Sequence, residues 1–417
     1  MPDSRTVLFL GINYDPEMTG NAPYTSSLAA GLAARGAQVH AEVAHPHYPE
    51  WRIREGYGEW TRRETVDGVS VVRRRHYVPQ RPRGIWRLLS EMSFGVRLLF
   101  ARWGQRDVTV AVSPALFSTW LASFRRGRAP FVVWVQDLYT LGLVETGEGS
   151  RLAMRLTRWI ESRTLRKADR VVVIHERFRD YVVDVLGVDA RRVAVIRNWT
   201  HLTPSGPADR RAARAALGWP EDEIVALHAG NMGAKQALEN VVEAARVADD
   251  RQESVRFVLL GGGGERTRLL QLAADVERID FIDPLPDVEF RAALASADVL
   301  LLNEKPGVAE MAVPSKLTSY FDAGRPVVAA TSAGGIAAAE LRAAGAGVVV
   351  AAGEPVALLD AVVSLGNDPA RADHFGRAGR RYREDALDKD LAIARWVAVF
   401  DNLVVSDEQP VPPPAAA

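Results

Sequence analysis

Residues 301–330, LLNEKPGVAEMAVPSKLTSYFDAGRPVVAA, carry the reading that decides the fold. An apolar strand at 298–302 leads through a polar loop to Pro314, Ser315 and Lys316, where a helix opens. Gly324 and Pro326 then stop that helix and launch a second apolar strand at 326–330. This is the punctuation of a βαβ unit. Ser315 is a good N-cap for a helix beginning at Lys316. The first-turn amides of such a helix have no intrahelical partners and can face an anion, and Lys316 adds a mobile positive charge at the same end. Taken alone, the segment also describes an ordinary capped helix with a surface lysine, so its neighbours decide between the two.

Outward from this unit, strands read at 224–228, 256–260, 280–282 and 347–351, with helical segments between them. They make a Rossmann-like domain. Two further loops in it follow strands and precede helices: Gly230-Asn231-Met232-Gly233-Ala234-Lys235, and the four glycines 261–264. The first can set backbone amides and the Lys235 ammonium beside a diphosphate. The second lets a ligand approach the backbone at Gly262 and Gly263, at an entropic cost that a plain turn would not need. Parallel strands bring all three loops to one edge of the sheet, where open α/β sheets bind ligands.

The first half repeats the pattern, with strands at 7–11, 38–44, 108–112, 131–135, 170–174 and 193–196 and a helix at about 24–34. The fold class is therefore α/β, with two Rossmann-like, doubly wound domains expected to face each other across a cleft. The boundaries read as an N-terminal domain at 1–200, a Pro/Gly/charge-rich linker at 201–220, a second domain at 221–384, a helix at 385–405 packing back on the first domain, and a disordered tail at 406–417. The helical pattern leading into that tail begins at about residue 377.

Composition narrows the chemistry. Fifty-two basic residues balance fifty-two acidic ones, which argues against nucleic acid as the main partner. The absence of cysteine excludes disulfides, thiolate metal sites and a cysteine nucleophile. No uninterrupted apolar stretch reaches the ~18 residues of a membrane span, and no signal-peptide pattern opens the chain, so a cytoplasmic protein is expected.

Further candidates lie in the first half. Gly20 and Asn21 precede a helix in the first βα loop and can approach a transferred group or its phosphate. Gln136 and Asp137 end the strand FVVWV, where a carboxylate serves as a hydrogen-bonding or catalytic group or as a helix cap. HPHYPEW places His45 and His47 two apart with no third ligand nearby. That spacing favours acceptor binding through His45, His47, Tyr48 and Trp51, or loop packing, over a metal. Asp388 and Asp390 read as solvated surface, and no metal site is expected. Residues 81–103 set arginines among Trp86, Phe94, Phe100 and Trp103 at helical spacing. Such a segment suits either a domain helix with its apolar face inward or a helix lying on an anionic membrane surface.

Together GINYDPEMTG, HPHYPEW, VQDLY, RNW, HAGNMGAKQALE and VPSKLTSYFDAGRPVV resemble, in order, the landmarks of glycosyltransferase family 4, in its branch of colanic-acid-type bacterial polysaccharide enzymes. The resemblance covers nearly the whole chain. It implies the GT-B fold, a nucleotide-sugar donor held mainly by the C-terminal domain, an acceptor held mainly by the N-terminal domain, and transfer with retention. It also implies no cofactor and no metal, Lys235, Lys316 and helix amides neutralising the diphosphate. Carried over, Lys235 and Lys316 bind the diphosphate with support from the Ser315 amide, Gly20 lies near the donor phosphate, and Pro284 and Leu285 lie by the nucleobase. Asp137 and Gln136 stand where the family often has a histidine beside the donor sugar. Ser319 occupies the place of the ribose-binding glutamate, and Asn231 that of a common arginine, with Glu304 or Glu310 as compensating groups. The acceptor is either a lipid-linked or polysaccharide precursor or a soluble natural-product intermediate. The competing readings are a nucleotide-sugar epimerase of the same architecture and a catalytically silent sugar-nucleotide-binding protein. A dinucleotide oxidoreductase is disfavoured because no G-x-G-x-x-G follows the first strand.

Overall fold

The computed structural model describes residues 5–18, 20–80, 84–146, 151–199, 209–307 and 315–407, with only the backbone course at 144–146, 315 and 404–407. The chain divides into two units, Met1–His201 with Lys389–Ala417, and Leu202–Asp388.

The first unit runs β1 (Thr6–Gly11), α1 (Ala22–Ala34), β2 (Gln38–Ala44), β3 (Thr61–Val66), β4 (Val69–Arg74), α2 (Ile85–Leu99), β5 (Val108–Val112), α3 (Leu116–Ser123), β6 (Phe131–Val135), α4 (Tyr139–Thr146), α5 (Arg151–Lys167), β7 (Arg170–Val173), α6 (Glu176–Asp180) and β8 (Val193–Val195). Its strands lie in the order β3-β4-β2-β1-β5-β6-β7-β8. All neighbours are parallel except β3 and β4, an antiparallel hairpin. That hairpin is absent from the sequence reading. It turns on Asp67 and Gly68, both at positive φ (48° and 78°), the conformation a two-residue hairpin loop needs. Strands β5 and β6 are buried along their whole length, as an unbroken VTVAV or FVVWV run requires when helices cover both faces.

The second unit runs α7 (Arg210–Leu217), β9 (Ile224–Ala229), α8 (Glu239–Asp250), β10 (Val255–Leu260), α9 (Arg266–Leu272), β11 (Ile279–Ile282), α10 (Asp287–Ser296), β12 (Val299–Asn303), α11 (Ser315–Ala323), β13 (Val327–Ala330), α12 (Ile336–Ala344), β14 (Gly347–Val350), α13 (Pro355–Gly366) and α14 (Pro369–Ala386). Its six strands, ordered β11-β10-β9-β12-β13-β14, are all parallel, and the order reverses between β9 and β12. Separate cores fill the two faces, one around Val241, Phe257 and Leu359, the other around Leu294, Leu317 and Phe321.

Two readings change. The stretch 201–220 is not all linker. Helix α7 is capped by Asp209, whose carboxylate accepts from the Arg211 and Ala212 amides. The helix is pinned by the buried Arg214, which pairs with Asp298 and donates to the Ser296 carbonyl at 3.0 Å. The long C-terminal helical pattern breaks at Leu387, which is buried in the second unit's core. The final helix, α15 (Lys389–Asp407), belongs to the first unit. There Ile393 fills the space a Cβ at Gly31 would need, Trp396 meets Trp134 edge-on at 5.1 Å, and Asp390 and Asp401 pair with Arg35 and Arg5 at 2.6 and 2.8 Å.

Candidate functional site

In the second unit the chain leaves β9 and β12 in opposite directions, which opens a crevice at their carboxyl ends. The loop after β9 is clamped to the loop after β10. Gly230 N donates to Leu260 O (2.8 Å), Met232 N to Gly262 O (2.7 Å) and Glu265 N to Met232 O (3.0 Å). The clamp explains two of the four glycines. Gly261 and Gly263 sit at φ 133° and 148°, and any side chain there would strike the Gly230 or Met232 carbonyl. Gly262 and Gly264 have open space, the nearest neighbour of a Cβ at Gly262 being the Pro284 ring at 3.7 Å. The Gly262 backbone beside Pro284 therefore has open space before it, while Leu285 packs on the core beneath.

Lys316, in the first turn of α11, lies against the same loop. Its Nζ donates to His228 Nε2 at 2.8 Å and lies 3.5 Å from the Asn231 carbonyl. His228 must therefore be neutral at Nε2. Burial holds its imidazole well below the usual histidine range, and the Lys316 charge adds to the effect. The lysine is pushed down to about 7 by burial, with the Glu304 carboxylate pulling the other way. Tyr320, one turn further, ties the two strand ends together: its hydroxyl accepts from Ala229 N (3.0 Å) and donates to Leu301 O (3.2 Å). Ser319 is partly exposed beside it. Helix α11 begins at Ser315, one residue earlier than read. The Ser315 side chain and Glu310 lie outside the described residues.

The Lys235 side of the crevice is held by Asn303 at the end of β12. Its Nδ2 donates to the Gln236 and Ala237 carbonyls (2.7 and 3.0 Å), while its Oδ1 accepts from Asn240 (2.8 Å). Lys305 N donates to Lys235 O at 2.8 Å. The turn is fixed by these bonds, and it presents the Lys235 and Asn231 side chains to solvent.

The first unit has its own switch point between β1 and β5. Asn21 spends its amide there on the Ser113 carbonyl (2.9 Å) and so joins the two loops. Gly20, at φ 67°, lies beside the Tyr48 ring. Glu17 organises the HPHYPEW loop: its Oε1 accepts from the His47 and Tyr48 amides (2.7 and 2.8 Å) and its Oε2 from Asn13 Nδ2 (2.7 Å). Glu17, His47, Tyr48 and Arg52 line a cavity of about 550 Å³. His45 is fully buried, its Nε2 against the Glu59 carbonyl (2.8 Å), so it supports the loop from beneath. Tyr48 and Trp51 stand edge to face at 6.1 Å. Gln136 pairs reciprocally with Asn198 (3.2 and 2.8 Å), and Asp137 accepts from the Leu138 amide at 2.8 Å. Behind them Tyr139 donates to Glu91 at 2.5 Å, and burial lifts the Glu91 carboxyl to about 7.

Sequence reasoning passed over Glu17, Glu91, His228 and Asn303. The last two are polar groups ending apolar strands, the same signal that picked out Gln136 and Asp137. Glu17 and Glu91 carry no such mark, because their partners are distant in the chain.

Two family descriptions match the chain in tandem, "Glycosyl transferase 4-like domain" over residues 19–199 and "Glycosyl transferases group 1" over 209–382. WcaI of Escherichia coli, which bears the name of a colanic acid biosynthesis glycosyl transferase, is 33% identical over 76% of this chain and 81% of its own. The chain belongs to glycosyltransferase family 4. Solved structures of the GT-B fold share its architecture. A sucrose-phosphate synthase from Thermosynechococcus elongatus covers 96% of the chain and aligns over its own full length (TM-score 0.73, 19% identity). HepE of Anabaena, crystallised with UDP, covers 95% and likewise aligns in full (TM-score 0.69, 16% identity). Within this glycosyltransferase, the order-reversing edge of the second unit's sheet is the crevice at which open α/β sheets bind ligands.

Proposed function

We propose that this glycosyltransferase moves a sugar from a nucleoside-diphosphate sugar to an acceptor hydroxyl with retention of anomeric configuration. The observation that carries the reading is the crevice beyond β9 and β12, where Lys316 lies against the loop that carries Lys235, and where the Gly262 backbone is open. In this reading the diphosphate lies against Lys316 and Lys235, and the base rests by Gly262, Pro284 and Leu285. Ser319 faces the ribose. The bond from C1 to the diphosphate oxygen breaks as the acceptor oxygen bonds to C1 on the same face. The departing oxygen takes the acceptor proton, so no protein base is required. The lysines and helix amides answer the charge that develops on the leaving group, without a metal. The acceptor sits in the cavity at Glu17, His47 and Tyr48. WcaI's name supports a polysaccharide or lipid-linked precursor as that acceptor, and the HepE crystals support UDP as the first donor nucleotide to try.

Thermal shift with UDP, GDP, ADP and dTDP, with and without magnesium, tests the donor site. One nucleotide is expected to raise the unfolding midpoint in wild type and to leave Lys316→Ala unmoved. No shift with any of them would remove the support for the site.

The lysine also sets a pH dependence. An anion raises its pKa, so binding above pH 7 takes up a proton. Affinity is expected to be flat below about pH 7 and to weaken as pH rises through it, by up to about tenfold per pH unit. Calorimetry at pH 8.5 in two buffers of different ionisation enthalpy reads the uptake. Binding without proton transfer would show that Lys316 does not meet the phosphates.

A further inference from the structure

Three neighbouring helices of the first unit leave large apolar side chains in solvent. Helix α3 packs between α2 and α5. Helix α2 turns Phe94 and Leu98 inward, yet Ile85, Trp86, Leu89 and Val96 on it are exposed. Phe100, just past its end, is 84% exposed, and Phe124, just past α3, is 57% exposed. Helix α5 adds Leu152, Leu156 and Trp159, spaced i, i+4, i+7 and so forming one stripe. The carboxyl ends of the three helices are tied together. Arg125 Nη1 donates to the Leu99 and Ala101 carbonyls (both 2.5 Å), Arg126 Nη1 donates to the Lys167 carbonyl (2.6 Å), and Lys167 Nζ stands 4.6 Å over the Phe124 ring. Phe100 and Phe124 therefore belong to one surface.

The exposed charge on the three helices themselves has one sign, with Asp169, just past α5, pairing with Arg126 at 3.6 Å. The only carboxylates on α2, α3 and α5, Glu91 and Glu161, are buried. Arg125, Arg155, Arg158 and Arg163 are exposed, while Arg87 is turned to Glu91 at 3.6 Å. Arg151, Arg155 and Arg158 also edge a cavity of about 340 Å³ that is otherwise lined by Leu143, Met154, Thr140 and Tyr181. Aromatic and aliphatic tips within a field of arginines fit one surface chemically, an apolar layer beneath a sheet of phosphates.

We infer that the solvent face of α2, α3 and α5 docks on an anionic lipid bilayer, with Trp86, Phe100, Phe124 and Trp159 entering at headgroup depth. No described helix is long and apolar enough to cross a membrane, so the contact lies on the bilayer surface. The inference uses none of the donor-site residues and stands independently of the reaction assigned above.

Sedimentation of the full chain with sonicated vesicles tests it. Phosphatidylcholine containing about one-third phosphatidylglycerol is expected to bind at least ~10-fold more protein than phosphatidylcholine alone, with the difference abolished near 0.5 M salt. Two variants change only exposed side chains: Phe100→Ser/Phe124→Ser/Trp159→Ser, and Arg155→Glu/Arg163→Glu. Both are expected to lose vesicle binding while keeping the wild-type melting curve. Wild type that stays in the supernatant, or variants that sediment as well as wild type, would overturn the inference. A wild-type dimer in light scattering that the triple serine variant abolishes, with no vesicle binding, would overturn it in favour of self-association.

Discussion

Lys316→Ala is expected to lower kcat/KM by about 10²–10³-fold while leaving the unfolding midpoint near that of wild type. The size follows from the role: one preorganised cation at the leaving diphosphate, held in a partly buried niche against His228. The stability term has the opposite sign from that of a core truncation. Burial depresses this lysine to about 7 from the 10.5 of a free side chain, so the fold bears the whole cost of keeping the ammonium below pH 7. That cost is relieved as pH rises from about 7 toward 10.5, because the unfolded chain then binds the extra proton. At pH 6 the alanine variant should therefore melt no lower than wild type. Steady-state kinetics and a melt on the same preparation decide the matter. A matched collapse of both would make Lys316 a packing residue and would withdraw the donor-site reading.

Trp396→Ala is expected to cost about 3–5 kcal/mol, all of it from the first unit. Trp396 is fully buried, edge-on to Trp134, which is itself stacked on Trp199 at 6.1 Å. The indole thus closes a layer whose other members are nearly two hundred or more residues away in sequence. Urea unfolding should split into two transitions, with the first unit's midpoint lowered and the second unit's unchanged. A midpoint equal to wild type would mean that α15 rests on the unit without stabilising it. His374, exposed on α14 in the second unit, is the matched control, and His374→Ala should leave both transitions in place.

The central strands were legible because strands covered on both faces must be apolar throughout, and 108–112 and 131–135 match their observed bounds. The β3–β4 hairpin was not, although its turn is a plain Asp-Gly. Arg62, Arg63, Glu64, Arg73 and Arg74 give this edge of the sheet a solvated composition that hides its alternation. The break at Leu387 was equally hidden, since no glycine or proline marks it. The helical period runs on through 387–389, and the interruption comes from Leu387 being drawn into one core while Ile393 is claimed by another. In the candidate site the strand-end loops were readable from glycine and lysine placement. Their detailed roles were not, because each depends on contacts between distant positions. Gly261 and Gly263 serve the neighbouring loop, and Lys316 finds its acceptor, His228, 88 residues upstream.

The return of the final helix to the first unit also sets an order of events at the ribosome. The residues that build β1 to β8 emerge first, but the helix carrying Ile393 and Trp396 follows only after the whole of Leu202–Asp388 has been made. At about 5–20 residues per second that delay is roughly 10–40 s. For its duration Gly31 of α1 and Trp134 of β6 lie on an apolar flank left without its covering helix, exposed to chaperones and to other nascent chains. Translation that stops short of Lys389 would leave a second unit able to finish folding, joined to a first unit that cannot.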